Sequence, residues 1–247
     1  MKREYLIPGS NGYPISCMEW SSAKETAILI CLHGFAGDKY SSVVNALGNC
    51  LSMQSVRVVV FDWPGHGASP ADGSQLTIAN CLKDLETVIC SINRPELPHY
   101  LFATSFGGFL GLHYVMQDPS VFSKIILRSP AISMPDTFLS LLTDQEHLQL
   151  QNGSAIDKGY ERPLILRQSF SDDLRNHKLN DPVLACKIPG IIIQGDLDDV
   201  VCMDDSVAFA QRNDWNLHII HGADHRFKNP GELDEIVAVS RQFFLGD

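Results

Sequence analysis

The chain has no apolar run of the roughly 20 residues needed to cross a bilayer, so integral membrane association is not expected. It is short of positive charge. Nineteen Lys and Arg stand against 29 Asp and Glu, a formal charge of −10 at pH 7, with none of the basic stripe by which proteins neutralise phosphates. Nucleic acid is therefore not an expected partner. Met1-Lys2-Arg3-Glu4-Tyr5, followed by Pro8, Asn11 and Gly12, lacks the apolar stretch of a secretory signal. Disulfide signals are also lacking. The seven cysteines (Cys17, Cys31, Cys50, Cys81, Cys90, Cys186 and Cys202) are odd in number, form no CxxC pair and lie mostly in apolar segments, which suits buried free thiols in a reducing compartment. A cytoplasmic location is the expectation. The glycine-rich turn Gly34-Phe35-Ala36-Gly37 carries neither a Gly-Lys-Ser/Thr nor a Gly-x-Gly-x-x-Gly pattern, so no nucleotide or other cofactor is implied. His33 and His66 sit in glycine-rich turns without partners at metal-ligand spacing, so they read as turn-holding residues and no metal is expected.

What is present is an ordinary globular composition, 45% hydrophobic and 19% charged over 247 residues. That length suits a single α/β domain over 1–247. Short apolar, β-rich runs recur at 28–32, 56–61, 100–103, 124–127, 191–193 and 217–220. Continuous apolar runs separated by helical patterns predict a mostly parallel central sheet flanked by helices. Ile78, Cys81, Leu82, Leu85, Val88, Ile89 and Ile92 follow helical spacing on one face, with Lys83, Asp84 and Glu86 assigned to the other. A last helix is expected from Asn229-Pro230-Gly231-Glu232, with Asn229 as its cap and Leu233, Ile236, Val237, Ser240 and Phe244 on one face. Residues 131–183 are longer than a simple crossover requires and are rich in polar residues. They read as a small lid inserted between late strands, or else as a surface excursion carrying one crossover helix.

Chemistry enters at Ala103-Thr104-Ser105-Phe106-Gly107-Gly108, between a predicted strand and the apolar helical segment 109–116. A serine on a sharp strand-to-helix turn needs small residues two before and two after it, because the backbones pass closely there. Ala103 and Gly107 satisfy this. Alone, the pattern equally fits a serine capping a helix. A nucleophilic serine needs a base, and the base an orienting acid. Downstream strands deliver Gly195-Asp196-Leu197-Asp198-Asp199 and then His221-Gly222-Ala223-Asp224-His225, in the order serine, acid, histidine.

With these residues assembled, the chain resembles the α/β-hydrolases, in the group that includes monoacylglycerol lipases, serine-aminopeptidase-like hydrolases and bacterial feruloyl or cinnamoyl esterases. The resemblance covers nearly the whole chain. It rests on Leu32-His33-Gly34-Phe35-Ala36-Gly37, Asp62-Trp63-Pro64-Gly65-His66-Gly67-Ala68-Ser69, the serine turn, Gly195-x-x-Asp198-x-x-Val201 and Gly222-Ala223-Asp224-His225. It implies Ser105 as nucleophile, Asp198 as acid, with Asp196 and Asp199 as rivals, and His225 as base, with His221 a strand-end residue. It also implies that the backbone N–H groups of Phe35 and Phe106 form an oxyanion hole, their rings lining a substrate pocket or packing in the core.

The expected activity is that of a serine carboxylesterase acting on a small-molecule ester with a short-chain or aromatic acyl group. Serine aminopeptidase, monoacylglycerol lipase and thioesterase use the same triad. An aminopeptidase would need a carboxylate for the substrate amine, for which Asp136, Asp144, Asp172 and Asp173 are the candidates. A non-catalytic ligand-binding protein on the same scaffold is a further alternative. The pattern leaves assembly open between monomer and homodimer.

Overall fold

The computed structural model describes residues 1–159 and 162–246. Two strands open the chain, β1 (Lys2–Pro8) and β2 (Pro14–Trp20), followed by β3 (Ala27–Leu32), α1 (Ser42–Ser52), β4 (Val56–Phe61) and α2 (Ile78–Ile92). Next come β5 (His99–Thr104), α3 (Phe106–Gln117) and β6 (Lys124–Arg128). A long excursion holds α4 (Met134–Ser140), α5 (Asp144–Gln151), the two-residue strands β7 (Ile156–Asp157) and β8 (Ile165–Leu166), and α6 (Gln168–Asn176). The chain then returns through β9 (Gly190–Gly195), α7 (Met203–Asn213), β10 (Asn216–Ile220) and α8 (Glu232–Leu245).

Among the described residues, eight strands form one sheet in the order β1-β2-β4-β3-β5-β6-β9-β10. From β4 to β10 every pairing is parallel, whereas β1 pairs β2, and β2 pairs β4, antiparallel. The antiparallel pair lay outside the predicted strands. β1 is an edge strand exposed along most of its length, so its Lys2-Arg3-Glu4 start carries no apolar signature. No helix among the described residues is long and apolar enough to cross a membrane.

Alternate residues of β3 show how the core is split. Ile28, Ile30 and Leu32 pack with the buried faces of α2 and α3, while Ala27, Leu29 and Cys31 pack with those of α1 and α8. The period-two alternation of a strand thus feeds two apolar layers. The predicted face of α2 is buried as expected, but Asp84 is buried with it, 1% exposed. Its carboxylate accepts from Asn11 Nδ2 and the Tyr13 hydroxyl, each at 3.0 Å, so the turn between β1 and β2 solvates it in place of water. α8 departs from expectation by two residues. Gly231, at φ +90°, is its cap, while Asn229 forms the preceding turn, its N–H and amide bonding the Glu232 carboxylate at 2.9 and 2.7 Å.

The excursion between β6 and β9 falls where the long polar segment was expected, and positions 160 and 161 within it lie outside the described residues. It packs on the α2–α3 side through Phe138 of α4 and Phe170 of α6. Arg162 secures it to the loop after β4 by donating to the carbonyls of His66 (3.0 Å), Gly67 and Ser69 (3.1 Å).

Candidate active site

β3 and β5 are neighbours in the sheet, and the connections that follow them lead outward on opposite sides, from β3 to β4 and from β5 to β6. Such a switch opens a crevice beyond the carboxyl ends of the strands. The loop 33–39 leaves β3 there, and Ser105 leaves β5 beside it.

Ser105 occupies φ +50°, ψ −115° between β5 and α3, a conformation that costs a residue with a side chain about 1–3 kcal/mol. Neighbouring groups hold it: its N–H donates to Arg128 O (3.0 Å), and its carbonyl accepts from Phe109 N (3.1 Å) and Ala131 N (3.1 Å). Gly107 is required by close passage, because a Cβ there would lie 2.6 Å from Leu32 O and 2.7 Å from His33 O. Gly107, one of the two small residues read around the serine, therefore stands where two backbones cross.

The two acid–histidine candidates separate cleanly. Asp196 Oδ2 meets His221 Nδ1 at 2.8 Å in an exposed pair. Asp198, whose side chain is 1% exposed, meets His225 Nδ1 at 2.9 Å, and His225 Nε2 lies 3.1 Å from Ser105 Oγ. Asp199 is exposed. With Nδ1 donating to a carboxylate, the neutral imidazole presents the Nε2 lone pair to the serine hydroxyl. Burial pushes the Asp198 carboxyl upward, but the hydrogen bond and charge of His225 and the Val201 N–H prevail and hold it below its usual value. It thus stays ionised beside the histidine.

Residues given no role in the sequence reading complete this arrangement. The Val200 and Val201 N–H groups both reach Asp198 Oδ1 at 3.0 Å. The Gln194 amide donates to Oδ2 at 2.9 Å and is itself held by the Ser206 hydroxyl at 2.9 Å. Gln194 lies in an apolar strand and Ser206 in a helix, so only the three-dimensional contact reveals them. Arg128 lies behind the site at the end of β6, its guanidinium 4.9 Å from the Phe227 ring centroid. Burial lowers its pKa to about 10, against the opposing pull of the Asp198 and Asp224 charges.

The other side of the crevice is aromatic. Phe35 stacks on Phe170 at 5.8 Å between centroids and meets Phe106 and Phe138 edge-on, also at 5.8 Å. Phe106 is fully buried while Phe35 is half-buried, so of the two expected pocket rings only Phe35 has an accessible edge. The N–H groups of both residues donate to no protein acceptor among the described residues. His33 holds the turn beneath them: Nδ1–H donates to Gly34 O at 2.9 Å and Nε2 accepts the Trp63 N–H at 3.4 Å. Burial keeps His33 neutral by lowering its pKa, and burial with the neighbouring His33 lowers that of His66 to about 3.

A family model described as alpha/beta hydrolase fold matches residues 27–155. The chain is 26% identical over 132 residues to monoglyceride lipase of Rattus norvegicus, across 51% of this chain and 42% of that protein. It spans 27% and 42% of the lengths of the curated relatives it matches. Among solved structures, mouse alpha/beta hydrolase domain-containing protein 10 is similar with a TM-score of 0.83 at 17% identity, covering 99% of both chains. Est1E from Butyrivibrio proteoclasticus, with ferulic acid bound, is similar with a TM-score of 0.82 at 21% identity over 98% of both. At these identities the structural likeness speaks for the fold.

Proposed function

The chain belongs to the alpha/beta hydrolase fold family, and from that premise we propose that it is a serine carboxylesterase for small esters with short-chain or aromatic acyl groups. The observation carrying this reading is the unbroken line from the Asp198 carboxylate through His225 to Ser105 Oγ. His225 Nε2 takes the hydroxyl proton as Ser105 attacks the ester carbonyl. Asp198 fixes the ring and stabilises the imidazolium that forms. The Phe35 and Phe106 N–H groups receive the oxyanion, each such donor being worth about 3 kcal/mol. His225 then protonates the leaving alcohol, and water repeats the sequence on the acyl-enzyme.

The acyl preference rests on Phe35, half-buried at the crevice and backed by the buried rings of Phe138 and Phe170, which offers an apolar wall and no charge. Residues 131–183 serve as a lid within a single domain in this reading. The carboxylates that an aminopeptidase would need are mostly engaged elsewhere. Asp136 pairs with Lys178, Asp172 with Arg175, and Asp173 accepts the Ile78 N–H. The seven unpaired cysteines suit the reducing cytoplasm.

A panel of nitrophenyl esters of increasing chain length, hydroxycinnamate esters, monoacylglycerols, thioesters and aminoacyl amides tests the substrate class. The highest kcat/KM is expected on short-chain or hydroxycinnamate esters. Preference for aminoacyl amides, or no turnover of any member, would reject it.

A further inference from the structure

Lys39 is 0% exposed although it lies in a loop outside every helix and strand. An ammonium removed from water costs several kcal/mol unless a charge and hydrogen bonds replace its hydration. Here Nζ donates to Asp62 Oδ2 at 2.9 Å and Ser16 Oγ at 3.0 Å, and stands 3.6 Å from the Glu4 carboxylate and 4.4 Å from the Tyr40 ring centroid. Asp62 is equally buried, just past the end of β4. Its Oδ1 accepts the Lys39 backbone N–H at 2.8 Å, and its Oδ2 also accepts the Ala68 N–H at 2.9 Å. One carboxylate therefore fastens the loop after β3 to the loop after β4.

The fastened segment contains Phe35. Between Phe35 and Lys39 the chain makes a turn closed by the Gly37 N–H on Gly34 O at 3.1 Å, and it passes through Ala36 at φ +55°. That left-handed conformation costs an alanine about 1–2 kcal/mol, and such strain persists only where the surroundings over-determine it. Stability alone would not require an ion pair, since well-packed apolar residues of like volume commonly serve a core as well or better. A pair that binds both a side chain and the backbone of its own loop instead dictates where that loop lies.

We propose that Lys39 and Asp62 are positioning residues for acyl transfer, fixing the loop so that the Phe35 N–H meets the oxyanion formed on Ser105. This rests on the serine hydrolase reading above. Neither residue touches the reacting atoms. Their effect falls on the transition state, whose oxyanion needs the donor, and leaves ground-state binding nearly unchanged.

The test compares the native protein with Lys39→Met, Asp62→Asn and the double variant. The readouts are kcat and KM on a nitrophenyl ester, and the affinity of a boronic acid that forms a tetrahedral adduct on Ser105. Each folded variant should lose about tenfold or more in kcat with KM within about threefold, and boronate affinity should fall by about the same factor as kcat. The double variant leaves no unpaired charge in the interior and carries the test if a single variant does not fold. Unchanged kcat and boronate affinity in the folded double variant would overturn the proposal, as would a raised KM with kcat intact. A native protein that turns over no ester and takes no active-site label would instead remove the underlying reading.

Discussion

Asp196 and Asp198 stand two residues apart on one loop, and each meets a histidine four residues from the other's partner. What separates them is burial and reach. Asp198 is enclosed and fed by the Val200, Val201 and Gln194 donors, and its histidine continues to Ser105. Asp196 and His221 form an exposed pair with no such continuation. Asp198→Asn is therefore expected to reduce kcat by about 10³- to 10⁴-fold, because an amide cannot hold the required tautomer or balance the imidazolium. Asp196→Asn should remain within about twofold of the native rate, exposed pairs being worth little. Steady-state kinetics on one activated ester reads both. Serine, acid and histidine were legible in the sequence because each follows an apolar strand run and occupies a motif. The choice among Asp196, Asp198 and Asp199 needed the family pattern. Gln194 and Ser206 had no signal, since an isolated polar residue in a strand or helix does not disclose what it faces.

At the scale of elements, α2 shows how a correct helix can still be misread on one face. Its apolar positions are buried as spacing requires, yet Asp84 turns inward because Asn11 and Tyr13 of the β1–β2 turn supply hydrogen bonds there. Periodicity ranks residues by polarity and cannot see a partner 73 positions away in the chain. Burial raises the Asp84 pKa to about 6, against the hydrogen bonds from Tyr13 and Asn11. With a folded pKa above its unfolded value of about 3.9, this carboxyl favours folding while protonated. That contribution is lost as pH rises through about 6. Asp84→Asn keeps hydrogen-bonding atoms for both partners and removes the loss. The variant is expected to gain up to about 3 kcal/mol over the native protein at pH 7.5 and little at pH 4, read as the difference in Tm by calorimetry. A gain of equal size at both pH values would refute the role given to its ionisation. The β1–β2 pair itself escaped the sequence for a related reason, because edge and antiparallel strands carry weaker apolar runs than the buried parallel strands beside them.

For the molecule as a whole, the sheet order explains why four separated loops converge. Adjacent β3 and β5 place the Phe35 loop beside Ser105, and β9 with β10 brings Asp198 and His225 from the same end. The parallel core was readable from buried runs, and the order of motifs along the chain matched the order in which these strands deliver their loops. The packing of the 129–189 excursion was not readable, because Phe138 and Phe170 gain meaning only from their contact with Phe35. The proposed function depends on these loops making Ser105 a nucleophile. A fluorophosphonate probe followed by peptide mass spectrometry tests it most directly. One adduct is expected, on Ser105, formed by the native protein, absent from Ser105→Ala and slowed by about 10³-fold or more in His225→Ala. Equal labelling of the native protein and Ser105→Ala, or an adduct on another residue, would contradict it.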